Sequence, residues 1–186
     1  FLHAHPGIGI ELQLADRVMD VGRERIDVAL RWSNAPPSAG LASTPIAEVG
    51  WLLAASPAWL EAAGWPREPE DLAAHPGLCY WRESADDQWR LARADGGVRR
   101  QVRVAGRYHV DNAEAVAEAA LAGLGVAMLP DYLCTAALRD GRLVRVLPEW
   151  TPVTKFGTRI TAVGAPERMG LARVRALLLL LLLLLL

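Results

Sequence analysis

The stretch Val110-Asp-Asn-Ala-Glu-Ala-Val-Ala-Glu-Ala-Ala-Leu-Ala-Gly-Leu-Gly-Val-Ala-Met-Leu-Pro130 decides the fold class. Asp111 and Asn112 are both good helix N-caps, and Glu114 stands three residues after Asp111, the spacing of a capping box. An Ala-rich helix follows and is stopped by Gly123 and Gly125. Val126–Leu129 then reads as a short buried strand closed by Pro130. A cap, a helix, a glycine stop and a strand in that order make an α/β unit. Such a unit aims unpaired N–H groups and a positive dipole end at whatever precedes the helix, a corner suited to binding an anion without a reactive side chain.

Outward from this unit the signals keep alternating. After Pro130 a helix is expected to Arg139, a turn at Asp140-Gly141, a strand at Leu143–Leu147, another at Ile160–Val163, and a last helix from Met169. Upstream, Trp89–Arg93 and Val98–Val104 around Asp95-Gly96-Gly97 predict a β-hairpin. Leu78–Trp81 reads as a strand, preceded by a short helix at Glu68–Ala74 that His75-Pro76-Gly77 ends. Ser56-Pro57-Ala58-Trp59-Leu60-Glu61-Ala62-Ala63-Gly64 is a compact helix with Ser56 at the N-cap, Pro57 at the first helical position and Gly64 beyond the end. Leu41–Ala55 is extended, broken near Val49-Gly50, and Asn34–Gly40 is a loop. Near the start, Ile8–Leu14 alternates like a strand, Asp16 caps a helix through Ile26, and Asp27–Trp32 is a buried strand. That β-α-β order predicts a parallel sheet.

Composition narrows the class. With 186 residues and 52% hydrophobic content the chain can bury a real core, in one bilobed unit or two small lobes. Its net charge of −1 gives no support to a nucleic-acid or membrane surface. Of the 20 basic residues only Lys155 is lysine, which reads as coding bias. Cys79 and Cys134 are far apart in apolar contexts, so two free thiols in a reducing cytoplasm are favoured over a disulfide. Leu177–Leu186 covers only about 15 Å as a helix, half a bilayer core. Ten identical leucines are read as an amphipathic helix in which leucine stands in for other residues.

The order of motifs resembles the effector-binding domain of LysR-type bacterial transcriptional regulators. The stretches that carry the resemblance are Phe1-Leu2 and His5-Pro6 before a strand, Asp16-Arg17-Val18 and Asp20 with Asp27-Val28-Ala29-Leu30-Arg31, and Ala55-Ser56-Pro57-Ala58-Trp59-Leu60. They continue with Glu70-Asp71-Leu72 and His75, Ala122–Pro130, and Gly141–Trp150. The resemblance implies an α/β, two-lobed clamshell of the periplasmic-binding-protein-like (type 2) kind with two crossover strands. Residues 1–52 plus 154–186 would form lobe I, with its first strand and helix missing, and residues 53–153 lobe II. The family's winged-helix DNA-binding domain is absent from this chain. The implied function is sensing: a small organic effector binds between the lobes, and a cytoplasmic homodimer or tetramer alters how the full-length protein grips promoter DNA. No cofactor and no membrane contact are implied. A periplasmic solute-binding protein of an uptake system is the alternative, which a signal peptide upstream would favour.

The candidate effector contacts carried over from the family are Arg31, Trp32, Ser33, Ala55, Ser56, Tyr80, Trp81, Asp111, Asn112, Gly125 and Val126. Each also has a plainer role. Ser56 and Asn112 offer polar groups beside free backbone donors, or simply cap helices. Trp32 stacks on an aromatic ligand or packs under the Pro36-Pro37 loop. Arg31 clamps a carboxylate or forms a salt bridge. Asp111 disfavours an anionic ligand unless a cation neutralises it. Catalytic residues are not expected: Gly-x-Ser-x-Gly, P-loop, Gly-x-Gly-x-x-Gly and His-Glu-x-x-His are missing. Metal ligands are not expected either, because His3 and His5 point apart at their spacing and His75 and His109 are isolated.

Overall fold

The computed structural model describes every residue except 16–18, 23, 25, 81–86 and 185–186. In chain order the strands are β1 (Ala29–Trp32), β2 (Ala42–Glu48), β3 (Trp51–Ala55), β4 (Pro76–Tyr80), β5 (Gln88–Arg93), β6 (Arg99–Arg103), β7 (Ala105–Val110), β8 (Val126–Pro130), β9 (Val144–Val146), β10 (Trp150–Pro152) and β11 (Arg159–Gly164). The helices are α1 (Pro57–Ala63), α2 (Ala113–Leu121), α3 (Asp131–Arg139), α4 (Pro166–Met169) and α5 (Ala172–Leu184), with a 3-10 turn at Pro69–Ala74. They fall into two units, Phe1–Val49 with Phe156–Leu186, and Gly50–Lys155. The backbone passes between them at 49/50 and again at 155/156. Among the described residues, no helix is long and apolar enough to cross a membrane.

The first unit is built on a three-stranded sheet in the order β1-β11-β2, with β11 antiparallel to both neighbours. Ile46, Ala162, Met169, Val174 and Leu178 form its core, so α4 and α5 cover one face. The single helix expected from Met169 is two helices. The first ends at Met169, and the chain resumes helix at Ala172 beyond Gly170.

Two expectations fail here. Ile8–Leu14 alternates but forms no strand, and Leu12 and Leu14 are 75% and 89% exposed. Alternation specifies a strand only where a neighbour supplies the ladder, and no described strand pairs with this segment. β1 instead pairs antiparallel with β11, and the predicted parallel β-α-β start is not formed among the described residues. The helix placed from Asp16 to Ile26 lies partly outside the described residues. Within it, Asp20 closes a turn, accepting from the Gly22 N–H through Oδ1 at 3.0 Å and from the Glu24 N–H through its carbonyl at 2.9 Å.

The second unit has a five-stranded mixed sheet, β7-β4-β8-β3-β9, and a separate three-stranded antiparallel sheet, β10-β5-β6. In the larger sheet β4 is parallel to β7 and β8, whereas β3 is antiparallel to β8 and β9. Leu53, Leu60, Leu72, Cys79, Trp89, Leu91, Val102, Val126 and Trp150 are buried together, joining the two sheets, α1 and the 3-10 turn in one core. The β5–β6 hairpin matches its pattern, with Gly96 at φ 77° in its turn. Neither β7 nor β10 is evident from the sequence. Ala105-Gly106-Arg107-Tyr108-His109-Val110 is a half-exposed edge strand, and Trp150–Pro152 has three residues with a proline.

Candidate functional site

The carboxyl ends of β4 and β7 lie side by side, because Tyr80 is in register with Val110. Asp111 and Asn112 follow Val110 directly, and α2 then returns over β4 and β8 to feed β8. A strand-helix-strand return of this kind places the helix N-terminus outside the carboxyl ends of the parallel strands, where ligands of open α/β sheets bind. The cap is Asn112, whose Oδ1 accepts from the Ala115 N–H at 2.8 Å. This shifts the cap one residue from the expected Asp111–Glu114 capping box, since the third helical residue is Ala115. Asp111 and Glu114 stay exposed on either side of the cap, two carboxylates that already answer the positive end of the helix. Ala113, Val116, Ala117, Ala119 and Ala120 are buried beneath, and their small side chains let α2 lie close to the sheet.

Four other candidates occupy the opposite end of the same sheet. Gly77, near the start of β4, is in register with Val126, and Ala54 with Ala127. Ala55, Ser56, Gly125 and Val126 therefore sit at the amino end of β4, roughly 10 Å along the strands from Tyr80. Their surroundings give each a packing role. Ala55 and Val126 are fully buried. Ser56 caps α1, its Oγ accepting from the Trp59 N–H at 3.4 Å. A Cβ on Gly125, at φ 154°, would stand 2.3 Å from the Pro76 carbonyl oxygen, so only glycine lets these backbones meet. Thus the structure gathers Tyr80, Asp111 and Asn112, and separates them from Ala55, Ser56, Gly125 and Val126. Trp81 lies outside the described residues.

In the first unit Arg31 and Trp32 end β1 and Ser33 follows it, all half-buried. The Arg31 guanidinium donates to the Met19 carbonyl. Ser33 Oγ accepts from the Ala35 N–H at 3.1 Å and its own N–H donates to the Arg159 carbonyl, so it shapes the turn after β1. Residues that sequence reasoning missed complete this corner. Asn34 brackets Thr158, accepting from its N–H at 3.0 Å and donating to its hydroxyl at 3.3 Å. At 49/50 the Val49 N–H donates to the Thr158 carbonyl at 2.7 Å within the first unit. In the second unit Gly50 and Asp131 bind reciprocally: Asp131 N–H to the Gly50 carbonyl at 2.9 Å, and Gly50 N–H to Asp131 Oδ2 at 3.0 Å. The one available signal was an aspartate opening a helix straight after Pro130.

Reactive chemistry has little to build on. Among the described residues no group of three or more His, Cys, Asp or Glu could hold a metal. Cys79 and Cys134 are both buried and neither is in a disulfide. Burial, reinforced by the Asp131 carboxylate, pushes the Cys134 thiol up to about 11, away from the thiolate form that reacts.

Comparison with known proteins identifies the architecture. The family model described as the LysR substrate binding domain matches residues 1–183. A probable HTH-type transcriptional regulator, LtrA of Klebsiella pneumoniae, is 32% identical over 178 residues, covering 96% of this chain and 57% of that protein. The HTH-type regulator PtxR of Pseudomonas aeruginosa is 31% identical over 152 residues, covering 81% and 47%. The chain thus spans about half the length of these curated relatives. Among solved structures, full-length AphB, a Vibrio cholerae virulence activator of the LTTR family, superposes with a TM-score of 0.81 at 26% identity, covering 100% of this chain and 61% of that one. The regulatory domain of CrgA from Neisseria meningitidis, at 23% identity, shares the fold with a TM-score of 0.84 over 99% and 87% of the two chains. The two-unit α/β architecture is that of LysR-type regulatory domains, and the chain belongs to the LysR substrate-binding domain family.

Proposed function

We infer that this chain is the ligand-sensing part of a longer bacterial LysR-type transcriptional regulator, and that it binds a small organic effector without transforming it. The observation that carries this reading is the family match across residues 1–183 together with the division into two α/β units. The units correspond to the two regulatory lobes. Effector contact in the second unit is assigned to the carboxyl end of its large sheet, around Tyr80, Asp111 and Asn112, with Trp81 next in sequence. In the first unit the assigned contacts are Arg31, Trp32 and Ser33, at and just beyond the end of β1. Asp111 and Glu114 favour a ligand that brings hydroxyl or amide donors to this end over one that brings another carboxylate. Promoter DNA would be gripped by a winged-helix segment of the longer protein, in the cytoplasm and as a homodimer or tetramer. Binding would act by favouring one of two arrangements of that assembly, to the extent that the ligand's affinity for them differs. A transport role is not favoured, since the relatives matched are regulators.

A thermal-shift screen of small aromatics, amides, hydroxy acids and carboxylates on this chain is the first test, because a ligand that binds only the folded state raises its melting temperature. Once a ligand is found, Asn112→Leu is expected to weaken it by about tenfold or more, while Ser56→Ala leaves its affinity unchanged. Undiminished affinity in Asn112→Leu, or equal losses in both variants, would overturn the assignment.

A further inference from the structure

The β5–β6 hairpin carries five arginines, Arg90, Arg93, Arg99, Arg100 and Arg103, in a chain whose net charge is −1. Three have carboxylate partners. Arg93 lies 3.3 Å from Glu149, Arg100 Nε lies 3.1 Å from Glu70 Oε1, and Arg103 Nε lies 2.8 Å from Asp87 Oδ2. Arg90 and Arg99 have none among the described residues. These same two line one cavity of about 240 Å³, together with Leu91, Arg100, Gln101 and Val153.

The register explains why the two come together. Arg90 is opposite Gln101, and Ala92 is opposite Arg99. Residues two apart on a strand share a face, so Arg90, Gln101, Ala92 and Arg99 all project to the same side. Arg90 and Arg99 are then diagonal neighbours, about 7–8 Å apart at the backbone and within reach of one small ligand. Ala92 contributes only a methyl between them, which leaves the space open. Leu91, fully buried, belongs to the row beneath. On the far side the Val153 N–H donates to the Arg90 carbonyl at 2.8 Å and sets an apolar wall. Gln101 is oriented by donating to Gln88 Oε1 at 3.0 Å. Two like charges converging on an open space, with every other arginine of the hairpin neutralised, leave a deficit that an anion would fill.

We propose that this cavity is a second ligand site, separate from the end of the large sheet where α2 begins, and that it takes a small dianion, a phosphate ester or a dicarboxylate. Each guanidinium presents a planar fork that matches two anionic oxygens, and the space of about 240 Å³ admits a small dianion between them. The site does not depend on the effector assignment above.

Inorganic phosphate and malonate, titrated separately into this chain at constant ionic strength, distinguish the two anion types. Isothermal calorimetry is expected to show saturable binding of at least one. The double variant Arg90→Gln/Arg99→Gln should weaken it by about tenfold or more, and Arg93→Gln, whose charge lies outside the cavity, should not. Val153→Glu offers a second, independent arm: it places an internal carboxylate beside Arg90, and should block the probe while raising the melting temperature. Phosphate binding alone points to a phosphorylated ligand, malonate binding alone to a dicarboxylate. Absence of saturable binding by either probe, or binding that survives the double variant or Val153→Glu, overturns the proposal.

Discussion

Cys134 shows how a single residue can record its burial in a pH profile. Its Sγ lies 3.5 Å from the Pro130 carbonyl oxygen and 3.4 Å from that of Asp131, one turn back along α3, and none of its surface is exposed. Removal from water penalises the thiolate, the nearby Asp131 carboxylate penalises it further, and the thiol is pushed from 9.0 to about 11. A raised folded value means the fold prefers the neutral thiol. The resulting stabilisation is complete below pH 9 and disappears as the pH climbs through 11. Denaturant midpoints should therefore fall more steeply between pH 9 and about 11 for the native sequence than for Cys134→Ala; parallel profiles would contradict this. Other single residues hide their importance. Gly157 sits at φ 87°, and a Cβ there would approach the Asn34 nitrogen to 2.9 Å. In the sequence, Phe156-Gly157-Thr158 is only a loop, because its partner lies more than a hundred positions away.

At the scale of elements, a helix start is worth what its cap supplies. Asn112 accepts from the Ala115 N–H at 2.8 Å, a better bond than the 3.4 Å one from Trp59 to Ser56. Replacing Asn112 with alanine should cost about 1 kcal/mol of unfolding free energy, and Ser56→Ala less. Urea denaturation followed by tryptophan fluorescence measures both, and a reversed ranking would contradict the cap geometry. Elements fixed by local chemistry were legible in advance: α1 with Ser56, Pro57 and Gly64, the 3-10 turn before His75, the β5–β6 hairpin, and the α2–β8 unit. Elements that depend on distant partners were not. The period-2 pattern of Ile8–Leu14 promised a strand, yet pattern without a neighbouring ladder yields none. Conversely β7, glycine-containing and half-exposed, becomes a strand because β4 offers it an edge. The same limit applied to the candidate site. Ser56 and Asn112 look equivalent as polar caps, and only the register of β3, β4 and β8 assigns them to opposite ends of a sheet.

On the scale of the whole molecule, the two units differ in how their strands are drawn from the chain. The second is one continuous segment, Gly50–Lys155, with its own core and every tryptophan except Trp32. Expressed alone, residues 50–155 should unfold cooperatively in urea with a clear change in tryptophan emission, while residues 1–49 alone should show no such transition. A fragment 50–155 that titrates without a sigmoid would refute this. The first unit has a different history, set by β11, the middle strand of its sheet. Translation delivers β1 and β2 early, but their shared partner emerges only after residue 164. At bacterial elongation rates that interval is on the order of ten seconds. During it the newborn segment that carries β1 and β2 waits beside the ribosome without the middle strand of its sheet, while residues 50–155 can already condense. Chaperone capture, or sticking to a neighbouring nascent chain, would be concentrated in that window, and slower codons between positions 48 and 159 would lengthen it.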